Sequence, residues 1–316
     1  MAVNNSCFNE VSMSERNDHK NTLVQSGGFS MLELLVSLTV LLIVAAITLA
    51  ALNSTQRLYT SQQTQSDMHA GLRGAFELMT QEIGQAGALT SDVKTLTPTI
   101  HSGPSAQNVA ISSTNGIFIG EKLTVDTGSS QETVAVTDVG SNQVSAIFTK
   151  DHSGGALVVA RGVFPQGVLS DSTSTSLKLF GDINADGSLV YVQYDCDTAA
   201  GTLARSVTTI TPGVTTQNAS TLLLTNLVAN PSGTPCFQYA GSITASGYTF
   251  VPSVGVSLTV QTSQRDPQTG SFVTMTKSFS NLSSRNVLAG LALAQASPAV
   301  TNRLQPTPPN LPLSAP

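Results

Sequence analysis

Residues 34–56 read LLVSLTVLLIVAAITLAALNSTQ, and these 23 positions contain no charged side chain. Only Ser37, Thr39 and Thr48 interrupt the apolar residues before position 53. A helix of this length rises roughly 35 Å, which is enough to cross the ~30 Å hydrocarbon core of a bilayer. The segment therefore predicts one membrane-spanning helix close to the N-terminus.

The composition argues against several classes of protein. Charged residues make up 10% of the 316 positions, where about 25% is typical of a soluble domain, and this excludes a charge-rich disordered chain and a coiled coil. The 14 Lys and Arg against 19 Asp and Glu argue against sequence-specific nucleic-acid binding, which needs clustered positive charge. Three cysteines are too few for a disulfide-framework miniprotein.

The position of Glu33 separates three interpretations of the apolar segment. A cleaved secretory signal has a shorter apolar stretch that ends in a small-residue cleavage site, and no A-x-A triplet closes this one. A plain membrane anchor tolerates Glu33 poorly, because a carboxylate drawn into lipid costs up to a few kcal/mol. The third interpretation accounts for Glu33, and it depends on the residues just before it.

Residues 28–35, GFSMLELL, resemble the N-terminal signature of type IV prepilins and prepilin-like proteins. In that family a membrane-embedded peptidase cuts after the glycine and methylates the new N-terminal residue, usually Phe, and Glu stands fifth in the mature chain. The resemblance implies cleavage between Gly28 and Phe29, N-methylation of Phe29, and a role for Glu33 in assembly.

Elementary physical chemistry is consistent with those roles. After such a cut, Phe29 carries a charged amine, and Glu33 lies four residues further on, one helical turn away on the same face. An acid and an amine together are less costly to hold near lipid than either alone. The resemblance implies that Glu33 meets the amine of a neighbouring subunit in a filament. Glu33 is also placed to stabilise the N-terminus of its helix through the dipole, and both roles can hold.

Beyond position 56 the pattern changes from apolar all round to amphipathic. Apolar residues recur every three or four positions, which predicts a helix with one buried face. Gly87 is expected to end this helix. The stretch RGAFELMTQEIGQAGAL at 73–89 resembles the end of the first helix in PilW-type minor pilins and in J-type minor pseudopilins of type II secretion, although ordinary amphipathic packing also explains it. The apolar stripe comprises Met68, Leu72, Ala75 or Phe76, Met79, Ile83 and Ala86, and Arg73, Glu77, Gln81 and Glu82 stand between its members.

From position 89 onward the pattern is mostly that of β-strands separated by Gly, Ser, Asn and Asp. Only 286–296 has a helical period again. We therefore expect an α+β, pilin-like fold, in which a long N-terminal helix packs on an antiparallel β-rich exported domain. Residues 109–160 look like an inserted small β module, although they could equally continue the same sheet. The expected regions are a leader at 1–28 that contains Cys7, a helix at 29–88 with its membrane span at about 34–56, a β-rich domain at 89–297, and a Pro-rich disordered tail at 298–316.

Two features of the β-rich domain predict local chemistry. Asp182, Asn184 and Asp186 match three positions of a calcium loop, but position 12 would be Gln193 rather than a bidentate Glu. A plain polar turn is the alternative. Calcium is therefore only a candidate ligand, and no other cofactor is expected. Cys196 and Cys236 should pair outside the cytoplasm, the alternative being two separate buried thiols.

We found no motif that indicates catalysis. The histidines at 101 and 152 fall in loops, where a solvated side chain is the default, and no nucleophile or catalytic signature accompanies them. The chain is therefore predicted to be a substrate of a processing enzyme and not an enzyme.

The resemblance implies a structural minor pilin at the initiation or tip of a type IV pilus or related filament. Its partners would be a prepilin peptidase and methylase, other pilin or pseudopilin subunits, and an inner-membrane assembly platform. It would start as a single-pass protein of the bacterial inner membrane with its C-terminal domain outside the cytoplasm, and it would then enter the filament. Lys20 favours this orientation through the positive-inside rule. The alternatives are a minor pseudopilin of type II secretion and a membrane-tethered adhesin or DNA-binding surface module.

Overall fold

The computed structural model describes residues 28–90, 92–211, 214, 216–309 and 311. The chain divides into two compact units, Met1–Gln56 and Arg57–Pro316. The expected leader, with Cys7 and Lys20, lies outside the described residues except for Gly28.

Helix α1 spans Met31–Gln85. It is the one helix among the described residues that is long and apolar enough to cross a membrane, by length and composition. The fold class is thus confirmed at the level of α+β: one long apolar N-terminal helix followed by antiparallel β-sheets.

Among its described residues, the second unit has sixteen strands and one further α-helix, α2, at Arg285–Gln295. A six-stranded sheet has the order β1-β6-β3-β4-β5-β2, and a four-stranded sheet has the order β10-β9-β8-β7. A third sheet surrounds β15, which pairs with β11, β12 and β16, and β13 pairs with β14. The strands are β1 Lys94–Thr95, β2 Gln107–Ala110, β3 Lys122–Val125, β4 Glu132–Gly140, β5 Gln143–Ala146, β6 Leu157–Ala160, β7 Ser176–Gly181, β8 Val190–Asp197, β9 Thr202–Thr209, β10 Thr221–Thr225, β11 Leu227–Val228, β12 Phe237–Tyr239, β13 Ile243–Ala245, β14 Tyr248–Phe250, β15 Ser253–Gln261 and β16 Thr274–Ser283.

The predicted apolar stripe of α1 is confirmed. Leu72, Phe76, Met79 and Ile83 are buried in the largest hydrophobic cluster, together with side chains of β7, β8 and β15. Met68 is partly buried at the margin of this cluster. A helix whose apolar residues form one stripe buries that stripe against a sheet, which explains why this half of α1 belongs to the second unit.

The six-stranded sheet encloses a hydrophobic cluster of its own. Leu123, Val134, Val144 and Phe148 are among its buried members. The sheet begins with β1 at Lys94, so the module starts earlier in the chain than the expected position 109. This cluster is separate from the one that α1 joins.

The prediction of a disordered tail is wrong for residues 298–309. Leu304 is fully buried beside Phe250 and Val287. The Gln305 side chain accepts a hydrogen bond from the backbone N–H of Lys122 (2.8 Å) and donates to the carbonyls of Lys122 (2.9 Å) and Arg161 (2.8 Å). Proline content alone indicated disorder, but Leu304 packs in a hydrophobic cluster and Gln305 bonds the segment to the module.

Candidate functional site

The expected processing site lies at the start of α1. Gly28, Phe29 and Ser30 precede the helix, and the Ser30 carbonyl accepts the first helical hydrogen bond from the N–H of Leu34 at 3.1 Å. Glu33 stands in the first turn, where a negative charge is favoured by the helix dipole. Phe29 is 77% exposed. The aromatic residue and the carboxylate therefore stand one turn apart on an uncovered segment.

The helix surface that follows is apolar and uncovered. From Met31 to Gln56 no residue is buried, and Leu34, Leu41 and Leu49 each expose 62–66% of their surface. Ser37 and Thr48 satisfy their hydroxyl groups by donating to backbone carbonyls one turn earlier, at 2.8 and 3.0 Å. These two hydroxyl groups are therefore internally bonded, and the large apolar side chains of the segment are exposed around the helix.

A buried charged cluster fixes the second half of α1 to the four-stranded sheet. The Glu82 carboxylate accepts hydrogen bonds from the hydroxyl of Tyr194 on β8 and from the guanidinium of Arg205 on β9, whose Nε lies 3.2 Å away. Burial is the largest influence on the Arg205 pKa and acts to lower it, but the bonds and charge of Glu82 outweigh it and the pKa is raised. Burial together with the Glu82 charge raises the Tyr194 pKa as well. In the sequence pattern Glu82 is one of the polar residues between the members of the apolar stripe, but in the structure it is buried.

The end of α1 is bonded to three other elements. The N–H of Gly87 donates to the Phe180 carbonyl (2.8 Å), and the Gly87 carbonyl accepts from the N–H of Phe164 (2.9 Å). Ser284, the N-cap of α2, donates its hydroxyl to the Ala86 carbonyl at 2.5 Å. Asn286 donates its side-chain amide to the Gln85 carbonyl at 3.1 Å. The expected termination at Gly87 is confirmed, and these bonds satisfy carbonyls that a helix end leaves unpaired.

Cys196 on β8 and Cys236, just before β12, form a disulfide with their Cα atoms 6.5 Å apart. The bond joins the four-stranded sheet to the sheet around β15 and closes a sequence separation of 40 residues. This geometry fits the expected disulfide and not two separate thiols. Such bonds persist in oxidising compartments, so the pairing is compatible with a domain outside the cytoplasm.

The calcium-loop residues serve the turn between β7 and β8. Asp182 is fully buried, and its carboxylate accepts hydrogen bonds from the N–H groups of Asp186 (3.1 Å) and Gly187 (3.0 Å), while Asn184 is exposed. Gln193 instead donates its amide to Asp195 at 2.9 Å. Within the described ranges no group of three or more His, Cys, Asp or Glu is arranged to hold a metal ion. The calcium prediction finds no support in this arrangement, and the polar-turn alternative describes it.

The expectation of a solvated histidine at 152 is wrong. His152 is buried in the module, with Nδ1 3.2 Å from Asp126 Oδ2 and Nε2 2.7 Å from Glu132 Oε1. A hydrogen bond from the Thr127 N–H, followed by that from His152, lowers the Asp126 pKa. Burial acts to raise the Glu132 pKa, but hydrogen bonds from Thr149 and His152 outweigh it and the pKa is lowered. The three side chains form a structural network of the module.

Sequence reasoning also missed Glu121, which precedes β3 and is almost completely buried. It lines a cleft that the module forms with the β7–β8 turn. Burial raises its pKa to about 8, against smaller opposing influences from the Phe118 backbone and from Lys94. The local sequence carried no signal for this, because the burial comes from residues far away in the chain.

Comparison of the chain with protein-family models, curated proteins and solved structures finds no match.

Proposed function

We propose that this chain is a prepilin-like minor subunit of a type IV pilus or a related filament. In this proposal a peptidase cuts between Gly28 and Phe29 on the cytoplasmic side, the Phe29 amine is methylated, and the product keeps its apolar helix. The second unit then lies outside the cytoplasm.

The observation that carries the proposal is the uncovered apolar half of α1 directly behind the Gly-Phe junction. None of the residues from Met31 to Gln56 is buried within the described chain. Exposed apolar surface on that scale marks a membrane or protein contact. A segment that first spans a bilayer and then packs among the same segments of other subunits is covered in both states.

In this proposal Glu33 fixes the axial position of one subunit relative to the next. A carboxylate within the apolar surface is costly unless a positive charge lies beside it. The free amine of Phe29, on its own or on a neighbouring subunit, is a charge of the required sign at the required end of the helix. An incoming subunit would therefore be held at the axial position where amine and carboxylate meet.

The first test is mass spectrometry of the protein recovered from cells that do or do not contain a prepilin peptidase. We expect a mature chain that starts at N-methylated Phe29 only when the peptidase is present. An intact leader in the presence of the peptidase, or a released product that lacks the apolar helix, would contradict the proposal.

The second test separates assembly from processing. Glu33→Ala should leave cleavage largely intact and reduce incorporation into sheared filaments about tenfold or more, the ratio that corresponds to ~1.4 kcal/mol. Glu77→Ala is the matched control, because Glu77 is an exposed acid in the second half of α1 that pairs with Arg73 four residues earlier. Equal incorporation of both variants would remove the role of Glu33, and retention of the unaltered chain in the membrane fraction alone would favour a tethered adhesin.

A further inference from the structure

The cleft beside Glu121 is open to solvent and has a volume of about 420 Å³. One wall belongs to the module, with Lys94, Glu121 and Leu123, and the other to the β7–β8 turn and its surroundings, with Asp186 and Leu189. Both walls lie in the second unit. Clefts of this size between two β elements are typical binding sites for small ligands or for a side chain of a partner.

Glu121 has an unsatisfied oxygen. Its residue surface is 1% exposed, and its Oε2 accepts no hydrogen bond from any described residue. A buried acceptor left without a donor costs about 1–3 kcal/mol, and native structures pair such groups almost without exception. Glu121 is among the residues that line the cleft, so a donor would have to approach this oxygen from the cleft.

The charges around the cleft select the kind of donor. Three acidic side chains line it, Asp92, Glu121 and Asp186, against one basic side chain, Lys94. Ile117 and Leu123 add apolar surface, and neutral Thr, Asn and Ser side chains line much of the remainder. An anion is disfavoured by this balance, whereas a cation with an apolar stem matches both the carboxyl groups and the apolar surface.

We propose that this cleft binds a ligand that carries a guanidinium or primary ammonium group on a short apolar stem, and that this group donates to Oε2 of Glu121. The ligand is either a free small cation or an Arg or Lys side chain of a partner protein, since both present the same chemistry. The inference does not depend on the proposed filament function.

The raised pKa of Glu121 predicts that binding of the cation releases a proton. With a pKa of about 8, the Glu121 carboxyl is mostly neutral at pH 7, and a cation can pair fully only with the ionised form. Binding at pH 7 therefore releases close to one proton, and the affinity rises as the pH is raised through 8. Because guanidinium keeps its charge throughout this range, the pH dependence reports the protein group.

The test uses the full chain in detergent micelles and isothermal titration calorimetry with ethylguanidinium. We expect binding at pH 7 with release of a proton, measured in two buffers of different ionisation enthalpy, and an affinity about tenfold higher at pH 9, the ratio of the ionised fractions. Ethylurea, which has nearly the same shape and no charge, should bind at least about tenfold more weakly at pH 9. A peptide with one central Arg distinguishes the two sources: tighter binding of the peptide than of ethylguanidinium indicates a protein partner, and weaker binding indicates a free cation.

Glu121→Gln keeps the size of the side chain and should abolish the proton release and the pH dependence. Glu77→Gln, an exposed acid on α1, is the control and should change neither. The absence of binding up to about 10 mM, equal binding of ethylurea, or unchanged binding to Glu121→Gln would overturn the proposal. If Glu121→Gln fails to fold, the pH profile and proton release of the unaltered chain decide it without a variant.

Discussion

Between Met31 and Gln56 helix α1 has no buried residue, whereas between Arg57 and Gln85 it buries seven. The more apolar half is thus the uncovered one. Leu42 is 60% exposed and Leu72 1%, although both are leucines in one continuous helix. The difference lies in the distribution of apolar residues: a stripe can be covered by one sheet, but a helix that is apolar all round needs lipid or other helices.

The difference between the two halves of α1 is tested most strongly at Glu33 and Glu82. Glu82→Ala leaves the Arg205 guanidinium and the Tyr194 hydroxyl without their shared acceptor, so we expect it to lower the free energy of unfolding by about 4 kcal/mol. Glu33→Ala removes a carboxylate with no such partners and should leave that free energy unchanged. Denaturant unfolding of the full chain in micelles, followed by tyrosine fluorescence, measures both variants.

This first prediction has an internal check. Glu82→Gln keeps the size of the side chain and one acceptor oxygen, and it should recover part of the loss. If Glu82→Ala and Glu33→Ala destabilise the second unit equally, the two halves do not differ in the way the buried cluster indicates.

A second pair of variants tests the apolar contacts. Leu72→Ala removes a fully packed side chain and should cost about 3 kcal/mol, the sum of lost burial and the remaining cavity. Leu42→Ala changes an exposed side chain and should leave the unfolding of the second unit within about 0.5 kcal/mol of the unaltered chain. A comparable loss from both substitutions in micelles would mean that the first half is also covered by its own chain.

Much of this contrast could be predicted from the sequence, because it depends on local periodicity. The stripe of Leu72, Phe76, Met79 and Ile83 follows the helical repeat, and the change of pattern near position 56 separates it from the apolar segment. The strand-rich character after position 89 and the helix near 286 depend on equally local signals. These are the parts of the fold that the structure confirms.

The features that could not be predicted all depend on partners far apart in the chain. Glu82 meets residues 112 and 123 positions away, and Gln305 meets Lys122 at a separation of 183. His152 meets its carboxylates at shorter separations of 20 and 26, but across strands whose register no local pattern specifies. A polar residue looks solvated in sequence until its partner is known, and for this reason Glu121 and its cleft were also missed.

A third prediction concerns the point where the covered half ends. Gly87 has a φ of +77°, and a Cβ added there would lie 2.7 Å from the Phe164 carbonyl oxygen. Gly87→Ala therefore combines a left-handed backbone with a clash, and we expect a loss of about 2 kcal/mol in the same unfolding measurement. No loss would indicate that the helix end and the loop segment at 164 can separate without cost.

The smallest expected effect has the opposite sign. Gly74 lies within the covered half of α1, but it is exposed, and a Cβ there would meet no atom within 4 Å. Gly74→Ala should therefore raise the free energy of unfolding by about 0.5–1 kcal/mol, since alanine lowers the entropy of the unfolded chain and favours the helix. A stabilisation of that size would show that α1 is folded at position 74 as part of the second unit. A loss instead would mean that the exposed face at Gly74 is covered in the folded protein, for example by a neighbouring subunit. Unfolding at two protein concentrations identifies that case, because only a contact between subunits depends on concentration.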